Sequence, residues 1–166
     1  MKQLLLIRHG KSDWDHPGLS DHDRPLNERG RRDAPRVALA LLERGVKADL
    51  IVSSTAVRAA TTAALVADEM GYPRDKIVEI SGLYLASPQA ILRVIQQLDE
   101  DARTVLIFGH NPGMHEAVGL FSKGEEVHDF PTLAVGRIEL AVEFWGDVDW
   151  DSGRLLELLI PRSLFK

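Results

Sequence analysis

Short apolar runs recur along this chain, and most are followed by a stretch with helical spacing. Residues 4–7, 49–52, 77–80 and 105–108 read as strands bounded by polar or turn-forming residues. A strand of this length cannot bury both its faces alone. Alternation with amphipathic helices points to a layered α/β fold around a parallel sheet. After the first run, Ala34, Val37, Ala38, Leu41 and Leu42 recur at helical spacing up to Gly45, with Pro35 at the helix start or at a kink. After the second, Ser53, Ser54 or Thr55 can cap a helix carrying Val57, Ala60, Thr61, Ala64 and Leu65 on one face. Ser87-Pro88 places a cap before a first-turn proline, and Ile91, Leu92, Ile95 and Leu98 follow as a buried stripe. Asn111-Pro112 opens another capped helix through Met114, Val118 and Phe121. The tail differs: residues 134–144 and 155–160 read as strands with only turn residues between them, hence antiparallel. The expected fold is a three-layer α/β/α sandwich with a mainly parallel sheet and an antiparallel C-terminal edge, one domain over residues 1–166.

Composition removes several classes of chemistry. The chain has no cysteine, so disulfides, thiolate catalysis and thiolate metal sites are out. That usage fits a cytoplasmic protein, and the four-residue apolar run before Arg8 is too short for a signal peptide or a membrane span. The net charge of −5 disfavours general nucleic-acid binding. It is unevenly spread, because residues 1–36 net +2 while the remainder nets −7. Arg29, Arg31, Arg32 and Arg36 are the densest basic stretch, read as a solvated helix face or as the anion-attracting rim of a site. Trp145 and Trp150 in the tail read as braces of the sheet edge, or as partner contacts.

The strand ends carry the functional signal. If strands one, two and four are parallel, their C-terminal ends share one edge of the sheet, where ligands bind in open α/β folds. Arg8-His9-Gly10 follows strand one, Arg58 lies in the first turn after strand two, and Gly109-His110-Asn111 follows strand four. Singly, each has a plainer reading: a hydrogen-bonded strand-end histidine, a surface arginine, a capping residue. Together they bring two histidines, two arginines and two helix N-termini to one crevice. That set suits a phosphate-like anion. Arg58 sharpens the point, since a cation at a helix N-terminus is unfavourable unless an anion lies beside it.

These segments resemble signatures of the histidine phosphatase superfamily. Arg8-His9-Gly10, Ser53-Ser54-Thr55-Ala56-Val57-Arg58-Ala59-Ala60-Thr61-Thr62-Ala63 and Gly109-His110-Asn111-Pro112 match in order and spacing. Asp21-His22-Asp23-Arg24-Pro25-Leu26-Asn27-Glu28-Arg29-Gly30 resembles more specifically the SixA-type phosphohistidine phosphatases. The resemblance implies a phosphoglycerate mutase-like fold and a metal-independent phosphatase without a cofactor. It implies that His9 attacks phosphorus and is transiently phosphorylated, while Arg8, Arg58 and His110 bind the equatorial oxygens, with Gly10 and Asn111 also in the binding site; two guanidinium groups and a protonated His110 could balance a phosphoryl dianion without metal. His9 must then be neutral at its attacking nitrogen, with the other nitrogen donating to a carbonyl or carboxylate.

Two departures matter. Phosphoglycerate mutase-like relatives carry Asn where this chain has Asp15, so that carboxylate is expected to face away from phosphate. Phosphomonoesterase relatives carry an acidic proton donor after the third strand, where this chain reads Ser81-Gly82-Leu83-Tyr84-Leu85-Ala86-Ser87. An alkoxide leaving group needs such an acid, whereas a phosphoimidazole protonated on its ring leaves as neutral imidazole. This tilts the expected substrate toward a phosphohistidine protein over a small phosphoester, with Asp13, Asp21 and Asp23 as remaining candidate donors. The chain also lacks room for long roofing insertions, so the site should be open. Three other readings stand: a general phosphomonoesterase, a metal site in Asp13, Asp15, His16, Asp21, His22 and Asp23, and a non-catalytic phosphate-binding module.

Overall fold

In the computed structural model, which describes residues 1–123, 125 and 127–165, the apolar runs form a mixed sheet between two helical layers. Its strands are β1 (Lys2–Arg8), β2 (Leu50–Ser54), β3 (Val78–Ile80), β4 (Thr104–Gly109), β5 (Val135–Leu140) and β6 (Gly153–Leu159). The order across the sheet is β3-β2-β4-β1-β5-β6. The first four are parallel, and β5 runs antiparallel to both β1 and β6. The helices are α1 (Glu28–Glu43), α2 (Val57–Met70), α3 (Pro88–Gln96), α4 (Gly113–Phe121) and the short α5 (Pro161–Leu164).

β1 is apolar without alternation because both its faces are covered. Leu5 and Ile7 join Val37 and Leu41 of α1 and Val66 of α2. Leu4 and Leu6 join Ile91 and Ile95 of α3 and Val118 of α4. The chain therefore leaves β1 toward one face and β4, its neighbour, toward the other. Parallel neighbours whose connections diverge in this way open a crevice at their C-terminal ends.

Two glycines let the layers close tightly around that crevice. A Cβ on Gly30 would lie 2.5 Å from the Lys11 carbonyl oxygen, and one on Gly113 would lie 1.9 Å from that of Ala86. Both loops are thereby pressed against helix starts.

The helices depart from the sequence reading in instructive ways. α1 begins at Glu28, capped by Asn27, whose side chain accepts from the Gly30 N–H at 2.9 Å, and Pro35 lies inside it. A charged first two turns had no apolar period to reveal them. α2 buries Arg58, Ala59, Thr62, Ala63, Val66 and Ala67, the face opposite to the expected one. Alanines lie on both sides of this helix, so hydrophobic spacing could not choose between them. Neither α2 nor α4 has a side-chain cap, because Ser54 and Asn111 bond elsewhere. Ser87 does cap α3, accepting from Ala90 N–H at 3.1 Å, a contact worth about 1 kcal/mol. β5 stops at Leu140, and the tail beyond it packs Trp145 fully into the core, its indole N–H donating to the Ala102 carbonyl. Trp150 meets the Phe121 ring edge-on, so both tryptophans brace the fold.

Candidate active site

Parallel pairing of β1 with β4 runs to Arg8 opposite Gly109, and the His9 N–H donates to the Gly109 carbonyl at 3.0 Å. The sheet thus delivers His9 at a fixed height beside His110, with ring centroids 5.2 Å apart. His9 Nδ1 lies 2.7 Å from the Gly10 carbonyl oxygen. A carbonyl only accepts, so Nδ1 carries the proton and Nε2 keeps its lone pair. Burial pushes His9 down to about 3, against the Gly10 bond that favours the cation, and His110, Arg58 and Arg8 lower it further. His9 is a neutral imidazole with a bare Nε2 at any physiological pH.

The cationic wall is built around one carboxylate. Arg58 is buried; its Nη1 donates to the Asp21 carbonyl at 2.7 Å and its Nη2 to the Asp21 carboxylate at 3.0 Å. Arg24, also buried, donates to the same carboxylate through Nε at 3.2 Å and Nη2 at 3.1 Å, and through Nη1 to Ser12 Oγ at 2.6 Å. The Tyr84 phenol completes the set, donating to Asp21 Oδ2. That bond, followed by those from Arg58 and Arg24, holds the Asp21 carboxyl far below the usual carboxylate range, and it raises the Tyr84 phenol. Asp21 is the anion that Arg58 needs at its helix N-terminus. Held ionised, it is a poor proton donor, which removes one candidate acid.

His110 Nε2 is 2.8 Å from Ser54 Oγ. Burial, then Arg58, pushes this ring down to about 4, with Asp21 pulling the other way. Without a bound anion His110 is therefore neutral, because it is out of water and beside a guanidinium; the protonated ring expected from the sequence is that of the phosphate complex.

Arg8, His9, Arg58, His110 and Asn111 line one cleft of about 220 Å³, with Lys11, Ser12, Trp14, Arg24, Leu85 and Thr132 as its other walls. Gly10 stays behind it: its carbonyl holds His9 and its N–H donates to Thr62 Oγ1 at 3.0 Å. The Asn111 amide donates to the Phe130 carbonyl, which Arg8 Nη1 also reaches at 3.4 Å. Among the described residues, five buried side-chain polar atoms lack a protein partner, and four belong to this site: Arg8 Nε, Arg58 Nε, His110 Nδ1 and Asn111 Oδ1. The two guanidinium Nε–H groups among them are donors, and buried donors are rarely left unpaired without a ligand to meet them. Among the described residues, no carboxylate lines the cleft.

The acidic loop does not gather into a metal site. Among the described residues, no three His, Asp or Glu side chains converge. Asp13 faces His16 at 3.3 Å, His22 bonds Thr55 Oγ1 at 2.9 Å, and Asp21 is taken by its arginines. Asp15 is exposed, its N–H donating to Asp13, and Asp23 pairs with His22 at 3.3 Å. Sequence reasoning missed Ser54, Arg24 and Tyr84 as members of the site, and Asp21 as the partner of Arg58. The only signal for Asp21 was the unfavourable place of Arg58, which demanded an anion.

Comparison with known proteins agrees with this geometry. The model of the histidine phosphatase superfamily (branch 1) matches residues 4–83. An uncharacterized chloroplastic protein of Arabidopsis thaliana is 33% identical over 129 residues, 73% of this chain, and the chain spans 59% of that protein's length. A crystal structure assigned as phosphohistidine phosphatase SixA of Agrobacterium tumefaciens superposes with a TM-score of 0.79 at 31% identity, covering 96% of this chain and 98% of that one. The protein histidine phosphatase SixA in complex with tungstate gives a TM-score of 0.82 at 24% identity, over 98% and 99% of the two chains, a likeness of fold.

Proposed function

The chain belongs to the histidine phosphatase superfamily, of SixA type, and from that premise we propose that it hydrolyses phosphohistidine on a protein through a phosphoryl intermediate on His9. The observation that carries this reading is the buried His9 with Nδ1 committed to Gly10 and Nε2 bare, set among unpaired guanidinium nitrogens. Nε2 attacks phosphorus in line, the P–N bond of the substrate breaks, and its ring, protonated on the other nitrogen, leaves as neutral imidazole. The Gly10 carbonyl keeps Nδ1–H in place, so phospho-His9 is itself a protonated phosphoimidazole. Water then attacks phosphorus, releasing inorganic phosphate and the starting form of His9. Arg8 and Arg58 stabilise the equatorial oxygens, a task in which charge and positioning dominate over covalent help. A bound dianion favours protonation of His110, so anion binding takes up a proton and weakens as pH rises.

The choice of phosphohistidine over a phosphoester rests on the absence of a carboxylate among the described residues of the cleft, and the Agrobacterium relative supports it. A missing general acid costs an alkoxide leaving group about 10²–10⁴ in rate and an imidazole far less. We place the enzyme in the cytoplasm, in keeping with its lack of cysteine; no described helix is long and apolar enough to cross a membrane. Hydrolysis of a phosphohistidine protein, sugar phosphates and nucleotides in the presence of chelator tests the reading. The expected kcat/KM favours phosphohistidine by about a hundredfold or more and survives chelation. Preference for a sugar ester would overturn the substrate, and loss of activity under chelation would overturn metal independence.

A further inference from the structure

Two large apolar side chains stand exposed on the walls of an otherwise polar cleft. Trp14 is 73% exposed and Leu85 is 55% exposed, and both line the cavity that holds His9. Neither is loose surface. The Trp14 ring lies over the Arg24 guanidinium, 3.4 Å from its centroid, and Arg24 is fixed in turn by Asp21 and Ser12. One side of the indole is thus occupied and the rest is open to solvent.

Leu85 has φ +49, the left-handed region that glycine or asparagine normally takes. A leucine there costs on the order of 1 kcal/mol or more, and such outliers persist where the surroundings over-determine them. The following residue supplies that constraint, since the Ala86 carbonyl is pressed against Gly113 of α4. The strain holds an apolar side chain at a place where the protein itself offers it little cover.

We propose that Trp14 and Leu85 form an apolar clamp at the cleft mouth that holds the flat imidazole ring bearing the phosphoryl group. The inference rests on the proposed phosphohistidine reading and deepens it, giving the site a means to tell a planar leaving group from a sugar or alkyl one. The charged floor of the cleft recognises phosphate of any origin, so selectivity must come from what touches the leaving group. An indole face and a leucine offer an aromatic ring stacking and dispersion, and offer a hydroxylated sugar no hydrogen-bond partner.

The test compares two P–N substrates, N-phosphoimidazole with a ring and phosphoramidate without one. In Trp14→Ala and in Leu85→Ala, kcat/KM for N-phosphoimidazole should fall about tenfold, mostly through KM, while phosphoramidate changes less than about twofold. Trp14→Phe, which keeps an aromatic face, should recover most of the loss. An equal fall on both substrates would mean that Trp14 merely steadies Arg24, and no fall on either would mean that the pair touches nothing; both results overturn the clamp. If the wild-type protein turns over neither substrate, the functional reading fails, and calorimetry with phenylphosphonate and methylphosphonate decides the clamp separately. It requires a phenyl preference of about tenfold that the alanine variants lose, and equal wild-type affinities would refute it.

Discussion

Two aspartates in this protein each gather arginines, with opposite consequences. Asp21 holds Arg58 and Arg24 at 3.0 and 3.1 Å, and those side chains are 3% and 10% exposed. Asp33 holds Arg29, Arg32 and Arg36 at 3.3–3.5 Å, with side chains 63%, 64% and 43% exposed. The pairing chemistry is the same and the solvation is not. Around Asp33, water screens each pair to a few tenths of a kcal/mol, and the cluster is the solvated face of α1. Around Asp21, two guanidinium groups buried from water share one carboxylate that is itself 43% exposed, and Arg8 adds a third cation nearby. The surplus positive charge acts on the cleft with little screening. It also helps to depress His9 and His110. The densest run of arginine along the chain is thus the solvated helix face, one of its two sequence readings, and the arginines that matter for the cleft are scattered.

Breaking the buried cluster should cost most. Arg58→Ala is expected to lower kcat/KM by about 10³, on the order of 4 kcal/mol of transition-state stabilisation, read from steady-state kinetics. The next effect is a stability that falls on acidification. His9 and His110 titrate in the unfolded chain near 6.5 and in the fold at about 3 and about 4. Between these limits the unfolded chain binds more protons, so stability is full above about pH 6.5 and is lost as pH falls. Denaturant unfolding should show a loss on the order of 3 kcal/mol from pH 6.5 to pH 5. A variant with both histidines changed to Gln should show a visibly flatter profile.

Asp21→Asn should come next, lowering kcat/KM about thirtyfold, on the order of 2 kcal/mol, by freeing Arg58 from its fixed pose. If Asp21 only neutralised charge, removing it would tighten tungstate binding and raise activity. The exposed cluster supplies the smallest effect. Arg32→Ala should leave kcat/KM within about twofold and stability within about 0.5 kcal/mol; a larger loss would show that α1 contributes to the site.

Much of this could be read from the chain because the strands after which function lies are short and unambiguous. Arg8-His9 and Gly109-His110 follow apolar runs whose both-sided burial left no doubt about their edge of the sheet. The rest was hidden for physical reasons. Asp21 and Arg24 sit in a loop with no periodicity to orient them, and Tyr84 joins from a turn beyond the third strand. Their meeting is a matter of tertiary placement, visible beforehand only as the unexplained cation Arg58. The buried face of α2 was misread because small residues on all sides made burial a question of the partner and not of hydropathy. That His110 is held neutral until an anion binds was likewise out of view, because sequence conveys neither its desolvation nor the nearness of Arg58.

The central claim is that His9 carries the phosphoryl group, and rapid-quench trapping tests it most directly. Wild-type protein mixed for milliseconds with a radiolabelled phosphohistidine protein should carry an acid-labile, base-stable label that peptide mapping places on His9. The label should vanish in His9→Gln together with turnover. Full wild-type turnover without labelled His9, or a label on another residue that survives His9→Gln, would contradict the account.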